Sequence, residues 1–152
     1  MSQDRVALLH RLLTERILIL DGAMGTMIQS HQLGAHQYHG DRFRAHGCDQ
    51  KGNNDLLTLT QPAIIAGIHA RYLEAGADII ETNTFNSTRI AMVDYQMEEQ
   101  VRELNLQGAR LARQVADTFA ARKGKSPIKY TITARAWDPV GNIASTSISV
   151  AR

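Results

Sequence analysis

The sequence predicts an α/β fold built on parallel strands, and three observations carry that expectation. Two short apolar runs, Ile17-Leu-Ile-Leu20 and Ile79-Ile80, end in the carboxylates Asp21 and Glu81, and each is followed by a small or amide-rich loop. A parallel sheet presents polar groups in this way at the carboxyl edge of its strands. Between the two runs lies a segment with the apolar period, start signal and stop signal of a helix, which completes a unit of the right-handed parallel kind.

Taken in order, Asp4 to Arg16 reads as a short helix with Val6, Leu9, Leu12 and Leu13 on one side. The continuous run Ile17 to Leu20 suits a strand buried on both faces. Residues 27–59 are polar, hold four histidines and the turn-like Lys51-Gly-Asn-Asn-Asp55, and are too long for a simple connector, so an irregular excursion is expected. Thr60-Gln61-Pro62 then offers an N-cap with proline in the first turn. Ile64, Ile65, Ile68, Tyr72 and Leu73 supply the buried stripe, and Gly76 is placed for the C-terminal turn. This helix delivers the second strand, Ala77 to Glu81. A further helical region follows an Asn86-Ser87 cap, with an interruption near Asp94-Tyr95. Met97, Val101, Leu104, Leu111, Val115 and Phe119 mark its stripe. Beyond Lys125 the texture changes, because Tyr130–Trp137 and Ala144–Val150 alternate around the turn sequence Asp138-Pro-Val-Gly-Asn142. That pattern reads as a β-hairpin, with a third buried strand and a loop as the alternative. The change divides the chain into residues 1–126 and a β-rich tail, 127–152.

With 152 residues, 43% hydrophobic and 21% charged, the chain has the make-up of an ordinary soluble domain with a sizeable core. No apolar run approaches the ~20 residues of a membrane helix, and the start lacks the basic and apolar segments of a signal peptide, so a cytoplasmic location is expected. The lone Cys48 fits a reducing compartment. Lys and Arg number 17 against 15 Asp and Glu, and they are scattered. The one cluster, Arg122-Lys-Gly-Lys125, closes a helix where cations complement the carbonyl end, and no nucleic-acid partner is expected.

Chemistry concentrates at the two junctions. Asp21 followed by Gly22, Ala23, Met24 and Gly25 sets a carboxylate beside backbone that a ligand can approach closely, because small residues leave the amides uncovered. Such a loop can hold both ends of an amino acid, although Asp-Gly is also a common turn element. Glu81, Thr82, Asn83 and Thr84 place an acid and three hydrogen-bonding side chains directly after a strand. Asn83 as a helix cap and Glu81 as an ion-pair partner are the structural alternatives. His31, His36, His39, His46 and Cys48 match no compact metal-binding spacing, and no metal ligand or catalytic residue is assigned. A phosphate loop and a nucleophile turn are both lacking.

Leu18-Ile-Leu-Asp-Gly-Ala-Met-Gly-Thr-Met-Ile-Gln29, Lys51-Gly-Asn-Asn-Asp-Leu-Leu57 and Glu74-Ala-Gly-Ala-Asp-Ile-Ile-Glu-Thr-Asn-Thr-Phe-Asn-Ser-Thr88 resemble the N-terminal homocysteine-binding module of cobalamin-dependent methionine synthases, within the homocysteine S-methyltransferases. Ala91-Met92, Asp94-Tyr-Gln-Met97 and Ala109-Arg-Leu-Ala-Arg113 extend the likeness, which covers about residues 5–122. The resemblance implies a TIM (β/α)8 barrel, of which the first two to three βα units are present. It also implies methyl transfer from methylcobalamin to homocysteine, with methyltetrahydrofolate recharging the cobalamin on other modules. Asp21, Gly22, Ala23 and Met24 would hold the amino-acid end of homocysteine, and Glu81, Thr82 and Asn83 would line the same mouth. The family's thiolate-activating zinc is bound by three later cysteines that Cys48 does not match. The chain is therefore expected to bind no cofactor and to be inactive alone, as a truncated methyltransferase. Its partners would be homocysteine, the remaining barrel and the cobalamin and folate modules, with self-association through open sheet edges. The tail, taken alone, is similar to the last hairpin of an immunoglobulin-like module. A non-catalytic ligand-binding or interaction module is the alternative reading.

Overall fold

The computed structural model describes residues 3–122, 130–137 and 143–150. Its order is α1 (Gln3–Glu15), α2 (Met24–Gln29), α3 (Ala35–His39), α4 (Leu57–Thr60), α5 (Pro62–Ala75), β1 (Ile79–Glu81), α6 (Arg89–Met92), α7 (Val101–Arg122), β2 (Tyr130–Trp137) and β3 (Ile143–Val150). Among the described residues no helix is long and apolar enough to cross a membrane.

Helix α5 is built as its sequence dictates. Pro62 occupies the first turn, where its missing N–H costs nothing, and Gly76 takes the left-handed conformation at φ 107°. There the Gly76 and Ala77 N–H groups donate to the Leu73 and Tyr72 carbonyls at 3.1 and 3.0 Å and close the helix. Thr60 belongs to α4, and Gln61 rather than Thr60 is the N-cap residue. In α7 the fully buried line is Leu104, Gly108, Ala112, Ala116 and Ala120. The larger expected stripe residues Val101, Leu111, Val115 and Phe119 flank that line, half-buried. Small residues every fourth position let α7 lie close to what it covers.

Three core clusters result. Ile28, Tyr38, Leu57, Ile65 and Ile68 join α2, α3, α4 and α5. Phe43, Leu56, Met92, Met97 and Leu104 pack the middle segments on α7, and Leu73, Ile80, Ala112 and Ala116 pin β1 between α5 and α7. The excursion over residues 27–59 is irregular for most of its length, as expected, but carries short helices and buried residues that contribute to the core. The next helical region starts one residue later than expected. Thr88 is its cap, its Oγ1 accepting the Ala91 N–H at 3.1 Å. The expected interruption falls at a 3-10 turn, Val93–Tyr95, followed by Gln96 at φ 52°.

The partial (β/α)8 barrel is corrected. The molecule is mostly helical, and β1 is the lone strand among the residues whose side-chain surroundings are described. The strand order is β1-β3-β2 with both pairings antiparallel, Ile79 opposite Val150 and Tyr130 opposite Val150. A barrel needs parallel neighbours throughout, and the single parallel contact among the described residues is an isolated bridge, Leu20 to Ile79. The run Ile17–Leu20 forms no strand buried on two faces, because β1 meets it on one side only and no described helix covers it. Ile17 is 87% exposed and Ile19 56%. For the tail, β2 and β3 pair antiparallel, residue against residue from Tyr130–Val150 to Trp137–Ile143. The turn Asp138–Asn142 and the basic residues Lys123 and Lys125 lie outside the described residues.

Candidate functional site

The bridge between Leu20 and Ile79 brings the two junctions together. Asp21 N–H donates to the Ile79 carbonyl at 2.9 Å, and the Glu81 N–H donates to Asp21 Oδ1 at 2.9 Å. Backbone pairing thus fixes the Asp21 carboxyl against β1. It is 9% exposed, and burial, offset in part by the Glu81 amide and reinforced by the Glu81 carboxylate, pushes its pKa up to about 6. A carboxyl poised near neutrality in this way ionises readily once a cation arrives to replace the lost water.

Gly22 and Ala23 are exposed, and a Cβ built at Gly22 meets nothing within 4 Å. Ala23 stands in the left-handed conformation, φ 39° and ψ 37°, as the residue leading into α2, and Met24 is half-buried at the start of that helix. Asp21 and Glu81 are thus brought side by side, with Gly22, Ala23 and Met24 following Asp21 in the chain and Glu81 exposed.

Thr82 and Asn83, which follow Glu81, are both buried. Thr82 Oγ1 and Thr84 Oγ1 share a hydrogen bond of 2.7 Å. Asn83 Nδ2 donates to the Asn54 carbonyl at 2.8 Å and to Thr58 Oγ1 at 3.2 Å, so it ties the strand-end loop to the Lys51–Leu57 segment and caps no helix. Asp55 completes the tie. Its Oδ2 accepts the Asn86 N–H at 2.7 Å and the Ser87 hydroxyl at 2.8 Å. Burial raises the Asp55 pKa, and those two donors pull it back. Tyr38 extends the network by donating to Asn54 Oδ1 at 2.9 Å. This brace was not assigned from sequence. Its signal was an acid directly ahead of the apolar pair Leu56-Leu57, a position that needs dedicated donors when it is buried.

His69 is a second residue that sequence reasoning passed over. It stands on the buried stripe of α5, is 0% exposed, and neither ring nitrogen has a hydrogen-bond partner among the described residues. Burial lowers its pKa to about 4, so the ring is neutral.

The zinc implied by resemblance finds no site here. Among the described residues no group of three or more His, Cys, Asp or Glu could hold a metal. The histidines that match no metal-binding spacing contact backbone carbonyls in part. The His39 ring nitrogens contact the Ala35 and Cys48 carbonyls at 2.9 and 3.2 Å, and His46 Nε2 contacts the Tyr95 carbonyl at 3.0 Å. His31 and His36 are exposed, and His36 lines a surface cavity with His39, Asp41 and Arg44.

One family model matches the chain. Its description is Homocysteine S-methyltransferase, and the match covers residues 18–150. It takes in both junctions, the brace and the tail that reads alone as an immunoglobulin-like hairpin. The chain belongs to the homocysteine S-methyltransferase family.

Proposed function

We propose that the chain holds the amino-acid end of homocysteine at the Asp21 loop, as the homocysteine-binding segment of a methionine synthase. The observation that carries this is the Asp21 carboxyl. It is desolvated, fixed by the Glu81 amide, and borders uncovered backbone at Gly22 and Ala23. In its ionised form Asp21 accepts the ligand ammonium, while the amides around Gly22, Ala23 and Met24 donate to the ligand carboxylate. Glu81 beside it adds a second negative charge for the ammonium. Thr82 and Asn83 keep Glu81 and the loop after it in place. The parent reaction of such a segment is methyl transfer from methylcobalamin to the homocysteine sulfur, with methyltetrahydrofolate as the recharging donor, both on other modules. No methyl-transfer step is assigned to residues of this chain.

Calorimetry or ligand-detected NMR with homocysteine and methionine tests the reading on wild type and Asp21→Asn. The substitution keeps the acceptor for the Glu81 amide and removes the charge, so binding should weaken about tenfold or more, the scale of a charge-assisted hydrogen bond. Wild-type affinity should rise as pH passes upward through about 6, because the carboxyl must lose its proton to take the ammonium. Equal binding by the two proteins would remove Asp21 from the site. The alternative, an interaction module without catalysis, draws support from the exposed apolar edge at Ile17–Leu20.

A further inference from the structure

We propose, building on the Asp21 reading, that Asn54 is a further ligand-binding side chain, its Nδ2 donating to the carboxylate of an α-amino acid whose ammonium rests on Asp21. Asn54 has one polar group left over. Its N–H donates to the Gly52 carbonyl at 2.9 Å, its carbonyl accepts from Asn83 Nδ2 at 2.8 Å, and its Oδ1 accepts from the Tyr38 hydroxyl at 2.9 Å. Nδ2 carries two hydrogens and donates to nothing among the described residues. The preceding asparagine makes the contrast. Asn53 is buried and its Nδ2 donates to Gln50 Oε1 at 3.1 Å, whereas Asn54 is half-buried with its amide unspent.

That free amide lies against Gly25. Outside its own helix, the one atom among the described residues that a Cβ at Gly25 would approach within 4 Å is Asn54 Nδ2, at 3.9 Å. Gly25 ends the small-residue run that starts at Asp21, so the missing side chain leaves the amide uncovered beside the segment that takes the ligand. From the other side, Asn83 holds the Asn54 carbonyl and follows closely on Glu81, whose N–H holds Asp21. Both junctions therefore position Asn54. Tyr38 sets its direction, because burial raises the pKa of the hydroxyl, which keeps its proton, donates to Oδ1 and turns Nδ2 away from itself. An amide N–H only donates, so its complement is an acceptor. In an amino acid held by its ammonium at Asp21, the nearest acceptor is the carboxylate on the same carbon, and a donor placed there separates an α-amino acid from a plain amine.

Calorimetry on the 152-residue chain with two probes tests this, at a pH well above 6 so that Asp21 is ionised. The probes are homocysteine and 3-aminopropane-1-thiol, which is homocysteine without its carboxylate. Wild type should prefer homocysteine at least about tenfold. Asn54→Asp keeps the shape and the acceptor for Tyr38 but turns the donor into a negative charge, so the homocysteine Kd should rise about tenfold or more while the amine binds no worse. Tyr38→Phe leaves Asn54 untouched and frees its amide to turn. It should weaken homocysteine about threefold and spare the amine, which carries the test even where Asn54→Asp lowers the urea midpoint. Asp21→Asn should weaken both probes, since both bear the ammonium. Homocysteine binding that survives Asn54→Asp and Tyr38→Phe but is lost in Asp21→Asn would overturn the role of Asn54 and leave the Asp21 reading standing. Equal weakening of both probes by Asn54→Asp and Tyr38→Phe would also overturn it, because a merely structural asparagine would not distinguish them. Failure of wild type to bind either probe would overturn both readings together.

Discussion

Ala23 holds a left-handed backbone, φ 39°, that a side chain disfavours by roughly 1–2 kcal/mol. Glycine adopts it freely but is more flexible unfolded, so Ala23→Gly should stabilise by about 0.5–1 kcal/mol, read as a higher urea midpoint at unchanged slope. The same residue shows what was legible at this scale. The run from Asp21 to Gly25 announced uncovered backbone beside an acid, and the structure places it so. That Ala23, rather than one of its glycine neighbours, takes the positive φ was not readable, because the hydrogen bonds of Asp21 to β1 decide where the turn bends. Asn83 and Asp55 were unreadable for a related reason. Their partners lie 25 to 32 residues away in sequence, and only the folded chain brings them together.

Helix α7 was legible as a helix, but only part of its contact face was. Large residues marked a stripe at the expected period, and Leu104 is buried with Val101, Leu111, Val115 and Phe119 packed at the core's margin, but the most deeply buried line continues from Leu104 through glycine and alanine. Gly108 shows why. A Cβ there would stand 2.7 Å from Thr84 Cγ2, and the Thr84 hydroxyl is held by Thr82, so the threonine cannot rotate away freely. Gly108→Ala should therefore destabilise by about 1–2 kcal/mol even though alanine is the better helix former, and thermal unfolding will show a lower midpoint. Gly67→Ala in α5, where a Cβ meets nothing within 4 Å, is the matched control and should stabilise. The strand expected at Ile17–Leu20 failed for the converse reason, whereas the one expected at Ala77–Glu81 is β1. An apolar run such as Ile17–Leu20 is consistent with a doubly covered strand, but burial depends on neighbours that periodicity does not supply.

At the scale of the whole molecule, buried acids and a buried imidazole oppose each other in acid, Asp55 acting in the same direction as Asp21. Asp21 is raised from 3.8 to about 6, so the folded state binds more protons there than the unfolded, and its contribution to stability is lost as pH rises through about 6. His69 is lowered from 6.5 to about 4, so the unfolded state binds more protons there, and its contribution is lost as pH falls from 6.5 towards 4. Each amounts to about 3 kcal/mol, and over pH 4–6 the two nearly cancel. Asp21→Asn should expose the histidine slope, with stability rising by up to about 3 kcal/mol from pH 4 to 6.5. His69→Leu should expose the opposite slope, and urea titrations at a series of pH values will read both. The brace joining residues 54–58 to 83–87 has its own consequence for how the molecule opens. Loops beside a binding mouth ordinarily exchange their amide hydrogens first, through local fluctuations that leave the core intact. Here the Asn86 amide ends on the buried Asp55 carboxylate and the Ser87 amide on the Thr84 carbonyl. In deuterium exchange both should fall into the slow class with the amides of α5, released only by unfolding of the whole. A ligand arriving at Asp21 would then meet a floor already ordered, and little conformational entropy would remain to be lost on binding.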